Sequence, residues 1–382
     1  MIAQGLWDNP PVDLDAPTVM LGGLSPAVFM KRHWQKKPLL VRQAFPGIVP
    51  PLARPALFEL AGSDDVESRL VAQDGQRWQV RHGPLPRRSL PPVARPGWTL
   101  LVQGLDLHVP AAHALLQRFR FVPDARLDDL MLSWASDGGG VGPHLDSYDV
   151  FLIQVHGRRR WRIGRVPEPR LVDGLPLKIL QHFEPEHDWV LEPGDMLYLP
   201  PAWGHDGIAQ GECMTASVGF RVPSDQGLAR ELLQRLAEFD DDGGRLYRDP
   251  RQPATDTPAR VPAALHDFAH AALAQALAGK GTLARALGEV LSEPKPRVWF
   301  EPGSRAEGQG VVLDAKTRML YDEHHVFVNG EAYDAAGRDA TLMRQLADAR
   351  SLPAARVGRL SAGARELLAQ WVAQGWMHGS DA

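Results

Sequence analysis

The sequence predicts a mainly β chain with added helices: an N-terminal double-stranded β-helix, or jelly roll, over residues 1–223, a helical region over 224–298 and a winged-helix-like module over 299–382. Three observations carry this expectation. Between Leu130 and Val222 short pieces rich in β-branched and aromatic residues recur, each bounded by Gly, Pro or Asp. After Pro223 the apolar residues recur at helical spacing instead. From Trp299 onward two β-like pieces precede two helical ones, the layout of a small winged-helix-type unit.

Taken in order, Ser25-Pro26 ahead of AVFMKRHW marks a helix start, with Ser25 as the N-cap and Pro26 in the first turn, where its missing N–H costs nothing. PLLVRQ and WQVRHG then alternate with proline-rich breaks, as on the flank of a β-rich domain. LMLSWA, YDVFLIQV, RRRWRIG, DMLYLP and CMTASVGFRV read as strands, and many short antiparallel strands make a sandwich or barrel. The jelly roll is the version that carries a metal site at its mouth. Ser224 caps a helix with Leu228, Leu232, Leu236 and Phe239 on one face, which DDDGG stops. A second helical region carries Leu265, Phe268, Leu273 and Leu277, then Leu283, Leu287, Val290 and Leu291, broken by Gly-Lys-Gly at 279–281. Such a stripe needs a cover, supplied either by the chain itself or by a second copy in a homodimer. SEPKPR, residues 292–297, reads as a linker because its two prolines forbid helix and sheet alike. Beyond it TRMLYD and HVFVNG read as strands, ATLMRQLADAR and ARELLAQWVAQ as helices, with Gly375 closing the last.

Composition narrows the function classes. The 382 residues exceed one ordinary domain of roughly 100–200 residues, so a sizeable core is available. A net charge of -4 leaves no basic footprint, which argues against direct nucleic-acid binding. The single cysteine, Cys213, excludes an internal disulfide and a cysteine-based zinc site, and fits a reducing compartment; the cytoplasm is the expected location. MIAQGLWDNPPVDLD has acids and prolines where a signal peptide needs basic residues and an apolar core. The apolar runs fall short of the roughly 20 residues that cross a bilayer, so a soluble chain without membrane partners is expected.

The chemistry concentrates in GGGVGPHLDSYDVFLIQVHGRRRWRIG. His144 and Asp146 are two apart, so in extended backbone both side chains leave the same face. Alone the pair is weak: 14 histidines and 46 acids in 382 residues give one or two such matches by chance. His182-Phe183-Glu184 is another. Context separates them, because His144 follows a glycine-rich turn and leads into a strand, whereas His182 and His187 sit in the polar loop QHFEPEHDW and read as solvated. A third ligand comes from LEPGDMLYLPPAWGHDG, where His205 lies just past a short strand ended by Pro200-Pro201. Two histidines and one carboxylate fill one face of an octahedron and leave three positions open, which suits iron(II) that must bind a cosubstrate and O₂; manganese, nickel or zinc would accept the same donors.

An iron oxygenase that uses 2-oxoglutarate also needs a cation for the distal carboxylate. Alternation after the His156-Gly157 turn puts Arg158, Arg160 and Arg162 on a solvent face and Arg159 with Trp161 and Ile163 on the apolar one. A buried arginine needs an anion, either this cosubstrate or a structural salt-bridge partner. Thr215 and Ser217 share a face of CMTASVGFRV and could add hydroxyl hydrogen bonds to the carboxylate or the metal end.

WQKKPLLVRQAFP, GGGVGPHLDSYDVF, GRRRW, LEPGDMLYLPP, SVGFR and YRDP together resemble the JmjC-type ribosomal oxygenases, in particular the bacterial branch that hydroxylates arginine in a large-subunit ribosomal protein. The resemblance implies iron(II) on His144, Asp146 and His205 and 2-oxoglutarate on the basic residue fifteen positions after the first histidine, here Arg159. It also implies O₂ as cosubstrate, a helical dimerisation region and a winged-helix domain, with the β-carbon of an arginine as the site of hydroxylation. Related enzymes with the same triad act on histidine or on N-methyl groups, and a non-catalytic metal-binding barrel with a nucleic-acid-binding winged helix is the rival outside enzymes. Asp137 and Asp149, close to the triad in sequence, would suit an arginine substrate but read as turn or surface acids. Thr215 and Ala216 stand where bulkier or amide-bearing residues are expected.

Overall fold

The computed structural model describes residues 13–75, 77–238, 245–254, 257, 259–278 and 282–381. Its dominant element is a nine-stranded antiparallel sheet: β1 (Leu39–Val41), β2 (Ser68–Asp74), β3 (Arg77–His82), β4 (Trp98–Val102), β5 (Leu127–Ala135), β6 (Val150–Arg165), β7 (His187–Leu191), β8 (Met196–Leu199) and β9 (Trp203–Phe220). The order is β1-β8-β6-β9-β5-β4-β2-β3, with β7 beside the far end of β6. Alternation sorts the strands onto two faces. Leu130, Leu132 and Trp134 of β5, Met214, Ala216 and Val218 of β9 and Phe151 and Ile153 of β6 point outward, under α1 (Pro26–Arg32), α2 (Arg54–Leu60) and α3 (Pro110–Gln117). Phe29 of α1 and Phe58 of α2 are fully covered there, Phe58 standing edge-on to Trp134 at 5.1 Å. Each large side chain so buried contributes about 1.5–3 kcal/mol. Leu152, Trp161, Ile163, Leu191, Leu197 and Leu199 point the other way and form a smaller core inside the roll.

YDVFLIQV and RRRWRIG, read from sequence as two strands around a turn, belong to one 16-residue strand. β6 pairs with β9 from Val150↔Gly219 to Arg165↔Trp203 and bends at bulges between Gln154 and Arg158. Each strand therefore serves both halves of the roll. Gly157 makes the bend possible: its φ is +61°, and a Cβ there would lie 2.1 Å from the Glu212 carbonyl oxygen. Gly157→Ala is expected to cost at least about 2 kcal/mol, a fall of several degrees in thermal midpoint readable by calorimetry.

The EPGD turn before β8 is held by Asp195, which accepts from the backbone of Gln43 and Glu192, both at 3.0 Å, and from Arg42 at 2.6 Å. This ties the segment around β1 to the roll. After β9, Ser224 caps α4 (Asp225–Ala237), and α5 (Ala263–Ala278) and α6 (Thr282–Ser292) follow. Phe239, DDDGG and Gly279-Lys280-Gly281 lie outside the described residues. α4 and α5 bury none of their residues, and Leu233, Leu265, Leu273 and Leu277 are exposed.

The C-terminal part holds more strands than the two expected: β10 (Gly310–Leu313), β11 (Met319–Tyr321), β12 (His325–Val328), β13 (Glu331–Asp334), α7 (Gly337–Ala349), β14 (Ser351–Leu352), α8 (Ala354–Val357), α9 (Ala362–Ala373) and β15 (Met377–Ser380). They make two three-stranded sheets, β14-β10-β15 and β11-β12-β13, around a core that includes Leu346, Trp371 and Met377. The extra strands are two to four residues long, too short for alternation to mark them. The SEPKPR segment is not a solvated tether. Ser292 is fully buried, and Lys295 reaches back to the roll to pair with Asp128 and Asp129 on β5.

Candidate metal centre and cosubstrate pocket

His144 and His205 face each other through backbone hydrogen bonds: His144 N–H donates to the His205 carbonyl at 3.0 Å, and His205 N–H to that of His144 at 2.9 Å. His144 lies in an isolated bridge rather than a regular strand, and His205 is inside β9, not beyond a strand end. The Asp146 carbonyl accepts from Ala202 N–H at 3.1 Å, which extends the antiparallel pairing. Ala202 itself sits at φ +64°, a conformation that costs a non-glycine residue about 1–2 kcal/mol and lets the Pro200-Pro201 turn deliver His205. The result is three donor atoms, from His144, Asp146 and His205, all within 4.8 Å of one another. His205 Nε2 and Asp146 Oδ2 are 3.5 Å apart, close to the edge of about 3 Å of an octahedron with bonds of about 2.1 Å.

The tautomers follow from the partners. His144 Nδ1 lies 2.8 Å from the Gly142 carbonyl and His205 Nδ1 lies 3.1 Å from that of Trp203. A carbonyl only accepts, so both Nδ1 atoms carry the proton and both Nε2 lone pairs are free for a metal. Burial, with His144 beside it, pulls the His205 pKa down to about 4, so this ring is neutral at physiological pH. The donor set, two imidazole nitrogens and one carboxylate oxygen in this frame, fits iron(II). His182 and His187 are exposed; His187 opens β7 and stacks on Trp189 at 4.7 Å instead of lying in a loop.

Arg159 is 5% exposed, on the same face as Trp161 and Ile163. Its Nη1 reaches Ser133 Oγ at 3.4 Å, while Nε and Nη2 are buried without a hydrogen-bond partner. Among the described residues no carboxylate pairs with it, which removes the structural salt bridge as its explanation. A guanidinium left this way is costly, about 1–3 kcal/mol for each unmet donor, and an anion of the right length satisfies it. Ser133 stands opposite Thr215, and Met131 opposite Ser217, on the inner face of the β5–β9 pair. The Thr215 hydroxyl donates to Gln154 Oε1 at 3.0 Å. Thus the amide expected on β9 comes from β6, and the Thr215 proton is already committed. Ser217 is 7% exposed on the same face.

One residue of this face escaped the sequence reading. Asp129, two residues before Met131, is buried, and its Oδ1 faces Gly219 on β9. The Tyr148 hydroxyl, bonded to Asp146, has its pKa raised by burial, then by the charges of Asp146 and Asp129, so both carboxylates act electrostatically on this tyrosine. The signal was available: carrying the strand from Leu130 back to Leu127 puts Asp129 on the Met131 and Ser133 face. The acids singled out instead lie elsewhere. Asp137 is exposed and accepts from Gly211 N–H at 2.7 Å, a turn. Asp149 is fully buried, not a surface acid, and is taken by Tyr198 at 2.6 Å and Gln35 at 3.0 Å.

Residues 114–228 match the family described as a JmjC domain, and residues 271–378 match a ROXA-like winged helix. Over 334 residues, 82% of this chain and 86% of the other, the sequence is 36% identical to the ribosomal protein uL16 3-hydroxylase of Escherichia coli. The chain is a JmjC-type ribosomal oxygenase. A probable ribosomal oxygenase of Haemophilus influenzae is 35% identical over 224 residues, 57% of this chain and 55% of that one. The fold of this oxygenase superposes on the X-ray structure of E. coli ycfD with a TM-score of 0.83 at 32% identity, covering 94% of this chain and 98% of that one. It also matches that ribosomal oxygenase in complex with cobalt and 2-oxoglutarate, with a TM-score of 0.78 at 32% identity, over 93% and 98% of the two chains.

Proposed function

We propose that this ribosomal oxygenase is an iron(II)- and 2-oxoglutarate-dependent hydroxylase that places a hydroxyl group on the β-carbon of an arginine in a large-subunit ribosomal protein, uL16. The single observation that carries the reading is the pairing of a preformed two-histidine, one-carboxylate frame with the buried guanidinium of Arg159, whose Nε and Nη2 lack hydrogen-bond partners. Iron(II), when bound with 2-oxoglutarate and O₂, supplies the oxidant for an unactivated C–H bond, the cosubstrate leaving as succinate and CO₂. His144, Asp146 and His205 hold the metal through Nε2, carboxylate and Nε2. Arg159 holds the distal carboxylate, with Ser133 beside it and Thr215 and Ser217 lining the same wall. Trp161, Ile163, Leu152 and Leu197 exclude water.

Arginine rather than histidine is favoured by Asp129, a buried carboxylate on the inner face opposite Gly219, which offers a guanidinium an ionic partner. Such a contact is worth about 1.5–3 kcal/mol, so Asp129→Asn is expected to raise the KM for an arginine-containing peptide tenfold or more. Steady-state succinate assays across peptide concentrations measure it. The test of the whole reading is mass spectrometry of uL16 incubated with the enzyme, iron(II), ascorbate and 2-oxoglutarate. A +16 Da arginine with stoichiometric succinate is expected; modification of histidine, or loss of N-methyl groups, would replace the reading.

The exposed leucines of α4 and α5 support a homodimer through the central helices. No described helix is long and apolar enough to cross a membrane, and the single buried cysteine accords with a cytoplasmic site of action.

A further inference from the structure

The winged-helix side of the molecule sends Lys295 into the roll, beside Arg318, which donates to the Leu127 carbonyl at 3.4 Å. Lys295, on the segment between α6 and β10, places Nζ 2.9 Å from Asp128 Oδ1 and 3.3 Å from Asp129 Oδ2, with its side chain 24% exposed. Asp129 divides its two oxygens: Oδ2 takes Lys295 and the Gly104 N–H at 2.9 Å, while Oδ1 faces Gly219 on the inner wall of the roll. Lys295 and Asp129 line one cleft of about 560 Å³ with Glu67, His82, Gln103 and Lys316, at the seam between the roll and the C-terminal module.

We propose that Lys295 is a positioning residue for substrate recognition: it clamps Asp129 Oδ2 so that Oδ1 is held toward the arginine side chain to be hydroxylated. The proposal rests on Asp129 being the carboxylate that reads the guanidinium, as argued above. Charge balance gives the reason for a lysine here. Asp106, Asp128 and Asp129 crowd the start of β5, and Asp106 is pushed up to about 7 by burial and by the charge of Asp129. Burial raises Asp129 as well, Lys295 pulls it back, and Asp128 pushes it up again. An ammonium at this point offsets part of the cost of burying the Asp129 carboxylate, and because it uses the other oxygen it does not stand where the substrate cation must go. The segment that supplies Lys295 lies outside residues 114–228 of the JmjC match and within the ROXA-like match, so the C-terminal module completes the specificity of a centre built in the roll.

The experiment compares full-length wild type, Lys295→Met, Lys295→Arg and Asp129→Asn on two peptides, one with the target arginine and one with citrulline, which has the same shape without the charge. The readout is the ratio of kcat/KM for arginine over citrulline, with the KM for 2-oxoglutarate as an internal control. Lys295→Met should lower the ratio at least tenfold without changing that KM, and Lys295→Arg should restore it to within about threefold of wild type. A general loss of structure would depress both peptides together and leave the ratio in place, which counts against the proposal. If Asp129→Asn loses the preference and Lys295→Met keeps it, Asp129 reads arginine and Lys295 does not position it. A ratio that rises in Lys295→Met means that the lysine competes with substrate, and also overturns the proposal. A preference retained in Asp129→Asn removes the arginine reading itself. Should Lys295→Met not yield folded protein, Lys295→Gln carries the same test, keeping a donor without the charge.

Discussion

A His144→Ala chain is expected to fold normally and to lose its chemistry. The imidazole supplies one of three donor atoms, and outer-shell partners of a metal ligand are themselves worth 10–100-fold, so loss of a ligand should cut succinate formation at least about a thousandfold. The fold survives because the contact between the His144 and His205 segments runs through backbone N–H and carbonyl groups, which alanine retains. Iron content of the purified protein, peptide hydroxylation and thermal midpoint together check this. The midpoint should stay within about 4 °C of wild type, while bound iron and turnover collapse. Persistent turnover would mean that the metal sits elsewhere.

The second large effect is expected at Arg159. Two charge-assisted hydrogen bonds to one carboxylate, each worth about 1.5–3 kcal/mol, place the rise in KM for 2-oxoglutarate in Arg159→Ala at about 100-fold or more. Iron binding without cosubstrate should be unchanged, because the guanidinium contacts Ser133 and the Trp161 ring rather than the metal-holding side chains. Lysine at this position should recover only part of the loss, since a point charge cannot replace a planar fork. Equal KM values in wild type and Arg159→Ala would remove this residue from the pocket.

Both residues were legible in the sequence for different reasons. Arg159 was found by strict alternation, which holds wherever one face of a strand is dry: Arg158 and Arg160 are exposed and Arg159 is not. His144 and Asp146 were found by spacing and by the glycine-rich turn before them. What failed to show was anything set by long-range pairing. The continuity of β6 through His156-Gly157 depends on β9 lying alongside it, and a glycine in a bulge looks the same in sequence as a glycine in a turn. Asp129 lies one residue before Leu130, where the apolar and aromatic run that marks the strand begins, so alternation within that run does not place it on a face. Lys295 was hidden by its prolines, which mark a segment as irregular without saying whether it is buried.

The two-way hydrogen bonding between the His144 and His205 backbones has a bearing on how the protein acquires iron. In domains whose ligands meet only around an ion, folding waits for the ion. Here peptide hydrogen bonds at 3.0 and 2.9 Å hold the two histidine segments together, so the spacing of these ligands does not depend on the cation. Copper(II) and zinc outrank iron(II) for nitrogen donors. The backbone frame therefore does not by itself select iron(II) over these competitors, and selection falls to the donor set, its geometry and metal availability.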